Sequence, residues 1–278
     1  MVWNRTHFEV LDPETLPWQA LRLAGAPTGA VVRVLSADAE DGAVTALVRI
    51  PPGWMLDGPW ALGTAFDAFV LEGSLRLGGQ QFERYAYTYR PAGFANAALR
   101  SEAGALVLVM TYGAAALVTP DAQEHSTKAI EHVRLEDVPA RQPLTDKVNM
   151  GYFSRTLRLD PDTGERIFVT GNERAGVGDP RIEWHPVVEE IYKLGPRGSM
   201  DYPYNQIMLE PGSYCYRPPG IPHGGFETWE PSQFSSFIRV NATLVNNYVD
   251  EVSARAMLRE YGRERLDPIV AARIDRAD

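Results

Sequence analysis

Apolar positions in this chain fall in short runs separated by turn-forming residues. Residues 31–35 and 44–50 are rich in valine, leucine and isoleucine and flank Asp38-Ala39-Glu40-Asp41-Gly42. Aspartate and glycine are the residues a tight chain reversal needs, so this stretch predicts a β-hairpin. Residues 155–159 and 166–169 flank Asp160-Pro161-Asp162-Thr163-Gly164 in the same manner. The 24 glycines and 21 prolines are spread along the chain as punctuation between such runs. Short strands with recurrent turn signals predict an all-β body. The character changes near the C-terminus. Ala254, Met257, Leu258 and Tyr261 stand at helical spacing and predict an amphipathic helix. Asp267-Pro268 then predicts a second short helix, with aspartate as N-cap and proline in the first turn. Both helices are expected to pack on the β body or on a partner subunit and to carry no chemistry.

The β-rich pattern occurs twice. Arg90-Pro91-Ala92-Gly93-Phe94-Ala95-Asn96 parallels Arg217-Pro218-Pro219-Gly220-Ile221-Pro222-His223 position by position. Upstream, the run from Ala65 through Leu75 parallels the run from Glu189 through Gly195. An extended arm leads each copy: Phe8-Glu9-Val10-Leu11-Asp12-Pro13-Glu14 the first, His132-Val133-Arg134-Leu135-Glu136-Asp137-Val138-Pro139 the second. The expected organisation is a first domain at 1–114, a linker at 115–130, a second domain at 131–248 and C-terminal helices at 249–278.

The formal charge is −9, from 36 acidic and 27 basic side chains. Nucleic-acid binding relies on clustered Lys and Arg, so a polyanionic partner is not expected. The single cysteine, Cys215, excludes an internal disulfide and fits a reducing compartment. The first residues lack the layout of a signal peptide, and no apolar run reaches the roughly 18–20 residues that span a bilayer. A cytoplasmic protein without membrane contact is the expectation.

Candidate chemistry concentrates in the second copy. Gly212 opens a strand, Pro218 and Gly220 close it with a tight turn, and His223 follows at a fixed distance. Upstream stand Glu183-Trp184-His185 and Glu189. Side chains alternate along a strand, so Arg181, Glu183 and His185 share one face while Trp184 points away. Carboxylate and imidazole together form the donor set of a divalent metal such as Fe(II), Mn(II) or Zn(II), not of Cu(I). His185, Glu189 and His223 are the expected ligands. Glu183 is a further ligand, an outer acceptor that fixes a histidine tautomer, or a general base. Glu190, of opposite parity to Glu189, is expected to point outward to a salt bridge; the alternative register makes Glu190 the ligand and puts Glu189 outside. Tyr192, Lys193, Gln206, Met208, Tyr214, Tyr216, Phe237 and Arg239 lie on predicted strands, and about half should face inward. Arg239 is the best choice for holding an anionic group of a substrate. Cys215 has no histidine beside it in sequence and reads as a buried, inert thiol.

These motifs resemble those of the cupin superfamily, whose first motif reads His-x-His, three or four residues, Glu, and whose second reads Gly-(x)5-Pro-x-Gly-(x)2-His. The second motif fits residues 212–223 without a gap. The first departs at one position, where Glu183 replaces a histidine. In the N-terminal copy the spacing survives and the ligands do not: Pro59-Trp60-Ala61 occupies the His-x-His position, Ala65 or Phe66 the acidic one, and Asn96 that of the last histidine. The resemblance implies two tandem jelly-roll (double-stranded β-helix) barrels with a short C-terminal helical segment. It implies an N-terminal barrel without metal. Trp54, Trp60, Phe66 and Phe69 read as its core, the alternative being a cavity for a small organic molecule. Cupins span dioxygenases, isomerases, decarboxylases, lyases and binders. Two histidines and a carboxylate with open positions make an Fe(II) dioxygenase acting on a small molecule the first choice. The alternatives are a redox-neutral isomerase, lyase or hydrolase using the metal as a Lewis acid, and a non-catalytic binder. A homodimer is expected, because edge strands and arms need cover.

Overall fold

The computed structural model describes residues 5–120, 128–142, 151–177, 181–200, 207–224 and 228–274. Residue 206 and much of the expected linker (121–127) lie outside them. The architecture is mostly β, with two C-terminal helices. Among the described residues no helix is long and apolar enough to cross a membrane. The chain forms two compact units, Glu14–Val138 and Met1–Pro13 with Pro139–Asp278.

In the Glu14–Val138 unit a sheet runs in the order Ile130–Arg134, Ala86–Arg90, Phe66–Gly73, Ala105–Thr111, Val44–Ile50, Val31–Ala37, Gln19–Ala20. A second sheet contains Trp54–Leu56, Leu99–Ser101, Leu75–Leu77 and Gln80–Phe82. Ile50, Phe66, Val70 and Val107 of the first share one buried cluster with Trp54, Leu56, Leu75 and Phe82 of the second. The two sheets therefore enclose a common interior.

In the other unit the main sheet runs Phe8–Leu11, Tyr214–Arg217, Glu189–Lys193, Ser232–Val240, Arg166–Asn172, Tyr152–Leu159. Gly176–Val177, Thr228–Trp229, Gly198–Met200 and Ile207–Leu209 make a second sheet, and His223–Gly224, Ile182–Trp184 and Asn247–Val249 a third.

The predicted hairpins form, and both are built alike. Asp38 Oδ1 accepts from Glu40 N at 2.8 Å and Asp160 Oδ1 from Asp162 N at 2.9 Å. The glycine four residues on, Gly42 or Gly164, has φ +73° or +74°, a left-handed conformation that disfavours any residue with a Cβ.

The arms pair across the two copies. Phe8–Leu11 does not pair within the copy that it precedes. It pairs with Tyr214–Arg217, Phe8 opposite Tyr216. Ile130–Arg134 likewise pairs with Ala86–Arg90, Ile130 opposite Tyr89. Each motif strand is thus completed by the arm that precedes the other copy in sequence. Hydrophobic pattern predicts an extended arm but not its partner, because edge pairing of backbone amides leaves no side-chain signature. The first arm finds its pairing within its own chain and needs no second copy for it.

The C-terminal helices do more than cap the body. Glu251–Tyr261 starts at Asp250, whose side chain accepts from Ser253 N, and Pro268–Arg273 starts at Asp267, which accepts from Ile269 N. Leu258, Leu266, Val270 and Ile274 form one buried cluster with Ile221, two residues before His223. The helices therefore buttress the motif turn. Leu258 is 1% exposed, and Leu258→Ala should cost about 2–5 kcal/mol in denaturant unfolding, by lost burial plus the cavity left behind. A cost below about 1 kcal/mol would contradict this packing.

Candidate metal centre

Strand register brings the ligand-type side chains together. Ile182–Trp184 lies between His223–Gly224 and Asn247–Val249, and Glu183 is directly opposite His223. Cross-strand partners project to the same face, so the carboxylate and the imidazole meet. His185 keeps the parity of Glu183, and its ring centroid lies 4.8 Å from that of His223. The motif turn passes through Gly220 at φ +85°, and Gly220 N donates to the His185 carbonyl at 2.8 Å. That bond ties the turn carrying one imidazole to the strand end carrying the other.

One ligand atom each from Glu183, His185 and His223 lies within 4.8 Å of the others, and all three residues are buried. No other such group of His, Cys, Asp or Glu occurs among the described residues. His185 Nδ1 lies 3.1 Å from the Val245 carbonyl and His223 Nδ1 2.9 Å from the Ile221 carbonyl. A carbonyl only accepts, so both Nδ1 atoms carry the hydrogen. In the neutral rings Nε2 then holds the lone pair, the tautomer needed for coordination through that atom.

Glu189 stands beside this group without joining it. Its Oε2 is 3.5 Å from His223 Nε2 and accepts from Arg217 Nη1 at 2.6 Å. Arg217 in turn donates from Nη2 to Glu9 Oε1 at 2.6 Å, and its Nε lies 3.0 Å from the same oxygen. Glu9 comes from the N-terminal arm. His7 completes the chain: Asp267 N donates to His7 Nδ1 at 3.1 Å, so the hydrogen is on Nε2, which lies 3.1 Å from Glu9 Oε2. Burial opposes ionisation of Glu9, but Arg217 and His7 outweigh it and lower its carboxyl from the usual 4.5 to about 2.

Of the sequence-predicted residues, the structure gathers Glu183, His185 and His223 and sets Glu189 next to them. Arg239 is a correction. It is opposite Glu190 in the register, while Glu189 is opposite Val240, so the arginine takes the sheet face away from the imidazoles. It is 0% exposed, with Nη1 3.5 Å from Glu190 Oε2. Glu190 does face away from Glu189, yet not toward solvent. It is 0% exposed and accepts from Arg5 at 2.8 Å and Tyr214 Oη at 2.7 Å. Tyr192, Tyr214, Tyr216 and Phe237 share its face by register. Lys193 has the parity of Glu189, is buried, and donates to Ser235 Oγ at 2.9 Å. Burial pushes the Cys215 thiol well above its usual range despite nearby Arg217, which keeps it protonated and unreactive. Sequence reasoning missed Arg217 and Glu9. Arg217 had a signal, since an arginine precedes Pro-x-Gly in both copies. Glu9, 208 residues away, had none.

In the other unit Trp60 bridges Asn96 as Glu183 pairs with His223, so Trp60, and not Pro59 as the motif alignment expects, is the counterpart of Glu183. Phe66 is opposite Arg90 as Glu189 is opposite Arg217, which makes Phe66 the counterpart of Glu189.

A family model described as the ChrR Cupin-like domain matches residues 6–116. No curated protein matches. Among solved structures, a Nostoc punctiforme protein named provisionally as a dioxygenase superposes with a TM-score of 0.75 at 19% identity, covering 88% of this chain and 87% of its own. Protein YlbA of Escherichia coli gives 0.57 at 14%, covering 84% and 90%. A variant of oxalate decarboxylase from Bacillus subtilis gives 0.54 at 12%, covering 91% and 84%. At such identities the likeness is one of fold.

Removing one partner of a buried ion pair leaves the other charge uncompensated. Glu9→Gln should therefore cost about 3–5 kcal/mol at neutral pH. Because folding lowers this carboxyl, its contribution is complete above pH 4.5 and is lost as pH falls toward about 2. Unfolding curves of wild type and variant should converge over that window, whereas a constant gap would contradict the assignment.

Proposed function

We propose that this chain is a metal-dependent bicupin enzyme of two tandem jelly-roll barrels, acting on a small organic molecule and most simply read as an Fe(II) dioxygenase. The observation that carries this reading is the Glu183–His185–His223 group, with both Nδ1 atoms committed to carbonyls. Two neutral imidazoles and one carboxylate give a single negative charge and three convergent donors, which suits Fe(II), Mn(II) or Zn(II). Bound there, Fe(II) would supply open coordination positions and the redox capacity for reaction of an organic substrate with O2.

The protein's own part is to bind, orient and exclude water. Val240 and Ile238, on the Glu189 face, belong to a buried cluster with Phe168 and Val187. An apolar neighbourhood of this kind favours an organic substrate and keeps water from the site. Glu189, fixed by Arg217 with an oxygen 3.5 Å from His223 Nε2, is placed to take a proton from an enol, catechol or diketone substrate. That second carboxylate also supports the other reading, a redox-neutral isomerase, lyase or hydrolase in which proton transfer is the chemistry.

Protein purified without chelator should hold about one equivalent of divalent metal per chain. His223→Ala and Glu183→Gln should each lower metal affinity by well over tenfold, while Glu189→Gln should keep the metal and lose turnover. Full metal content in His223→Ala would overturn the site. Oxygen uptake matched to loss of a diketone, catechol or enol substrate supports the dioxygenase, and substrate loss without uptake supports the redox-neutral reading.

A further inference from the structure

We propose that the interior of the Glu14–Val138 unit is a binding site for an uncharged, hydrocarbon-like molecule of single-ring size. The sheets of this unit enclose a cavity of about 210 Å³. Trp54, Phe66, Val70, Leu75, Phe82 and Val107 supply much of its wall, and all six are buried. Trp60, which is opposite Asn96 as Glu183 is opposite His223, also lines it, whereas Phe69, stacked on Tyr85, does not. A packed core leaves few voids larger than a water molecule, so a space of this size is not ordinary core. An apolar cavity of roughly 150 Å³ stays dry and takes up benzene, which sets the scale for the guest.

The chemistry of the wall narrows the class further. It carries two hydroxyls, of Thr88 and Thr111, and two indole N–H groups: that of Trp54 donates to the Pro27 carbonyl at 3.3 Å, and that of Trp60 is buried with no partner among the described residues. Thr88 Oγ1 donates to the Ile130 carbonyl at 2.8 Å, and Thr111 Oγ1 accepts from Val44 N at 2.9 Å. Both hydroxyls are engaged by the backbone, and no ionisable side chain lines the space. One neutral indole N–H is far too little to replace the hydration of a charged guest, while an apolar one loses only unfavourable contact with water. Leu21 and Leu23, half-buried, and exposed Ala115 extend the wall to the surface and provide a way in. This inference is independent of the metal reading, since every residue it uses lies within 14–138.

Toluene and benzoate, alike in ring and different in charge, test it on the full chain by titration calorimetry. Toluene should bind one equivalent per chain and benzoate none. Ala46→Leu and Ala68→Leu, each filling the cavity from a lining position, should weaken toluene binding at least about tenfold. Absence of saturable toluene binding, equal binding of benzoate, or undiminished binding in the folded variants would overturn the proposal. Should both variants misfold, nuclear Overhauser contacts from toluene to the methyl groups of Val70 and Val107 in the wild-type chain decide the question, their absence counting against it.

Discussion

Arg217 is the constraint around which the C-terminal unit is organised. A guanidinium with 3% exposure cannot shed its charge, so the fold must surround it with acceptors. Glu189 supplies one from the neighbouring strand and Glu9 supplies others from the N-terminal arm. Satisfying that one cation fixes three things. It docks the arm along Tyr214–Arg217, it turns the Glu189 carboxylate toward His223, and it sets the start of the turn that delivers His223 opposite Glu183. Through Glu189 and Glu9, Arg217 decides what stands beside the imidazoles.

The other copy shows the same device with different contents. Arg90 holds the equivalent place before Pro-x-Gly, and its Nη2 donates to the Glu131 carbonyl of the arm paired with it, at 3.1 Å. Phe66 stands where the second unit has Glu189, so no carboxylate answers Arg90 from that strand. With Trp60 and Asn96 at the motif positions, the interior becomes apolar. One backbone plan thus holds two kinds of interior: a polar donor group buried in one unit, a hydrocarbon-lined space in the other. Burying donors is costly without a cation to neutralise them, while an apolar interior has no such demand.

Much of this was legible in the sequence because it depends on local rules. Aspartate–glycine reversals announced the hairpins, and helical spacing with the Asp267-Pro268 start announced the C-terminal helices. The motif spacing anticipated that the imidazoles at 185 and 223 would meet, since strand parity and a glycine turn determine both. The rest depends on register across long separations. Choosing between Glu183 and Glu189 required knowing which residue pairs with His223 and which pairs with Arg217. Placing Arg239 required one more parity step, across a strand whose register no local pattern specifies. The arms were the least legible: their pairing is a backbone event joining Phe8 to Tyr216, and nothing local in the sequence marks it.

The central claim is that Glu183, His185 and His223 hold a single divalent cation. Anomalous X-ray scattering from crystals of the full chain grown with Mn(II) or Zn(II) tests it most directly. The account predicts one strong peak at roughly 2.0–2.3 Å from a Glu183 oxygen and from both Nε2 atoms, with Glu189 still joined to Arg217. A peak that is coordinated by Glu189 while Glu183 lies outside its reach, or no peak between the two imidazoles, would contradict it.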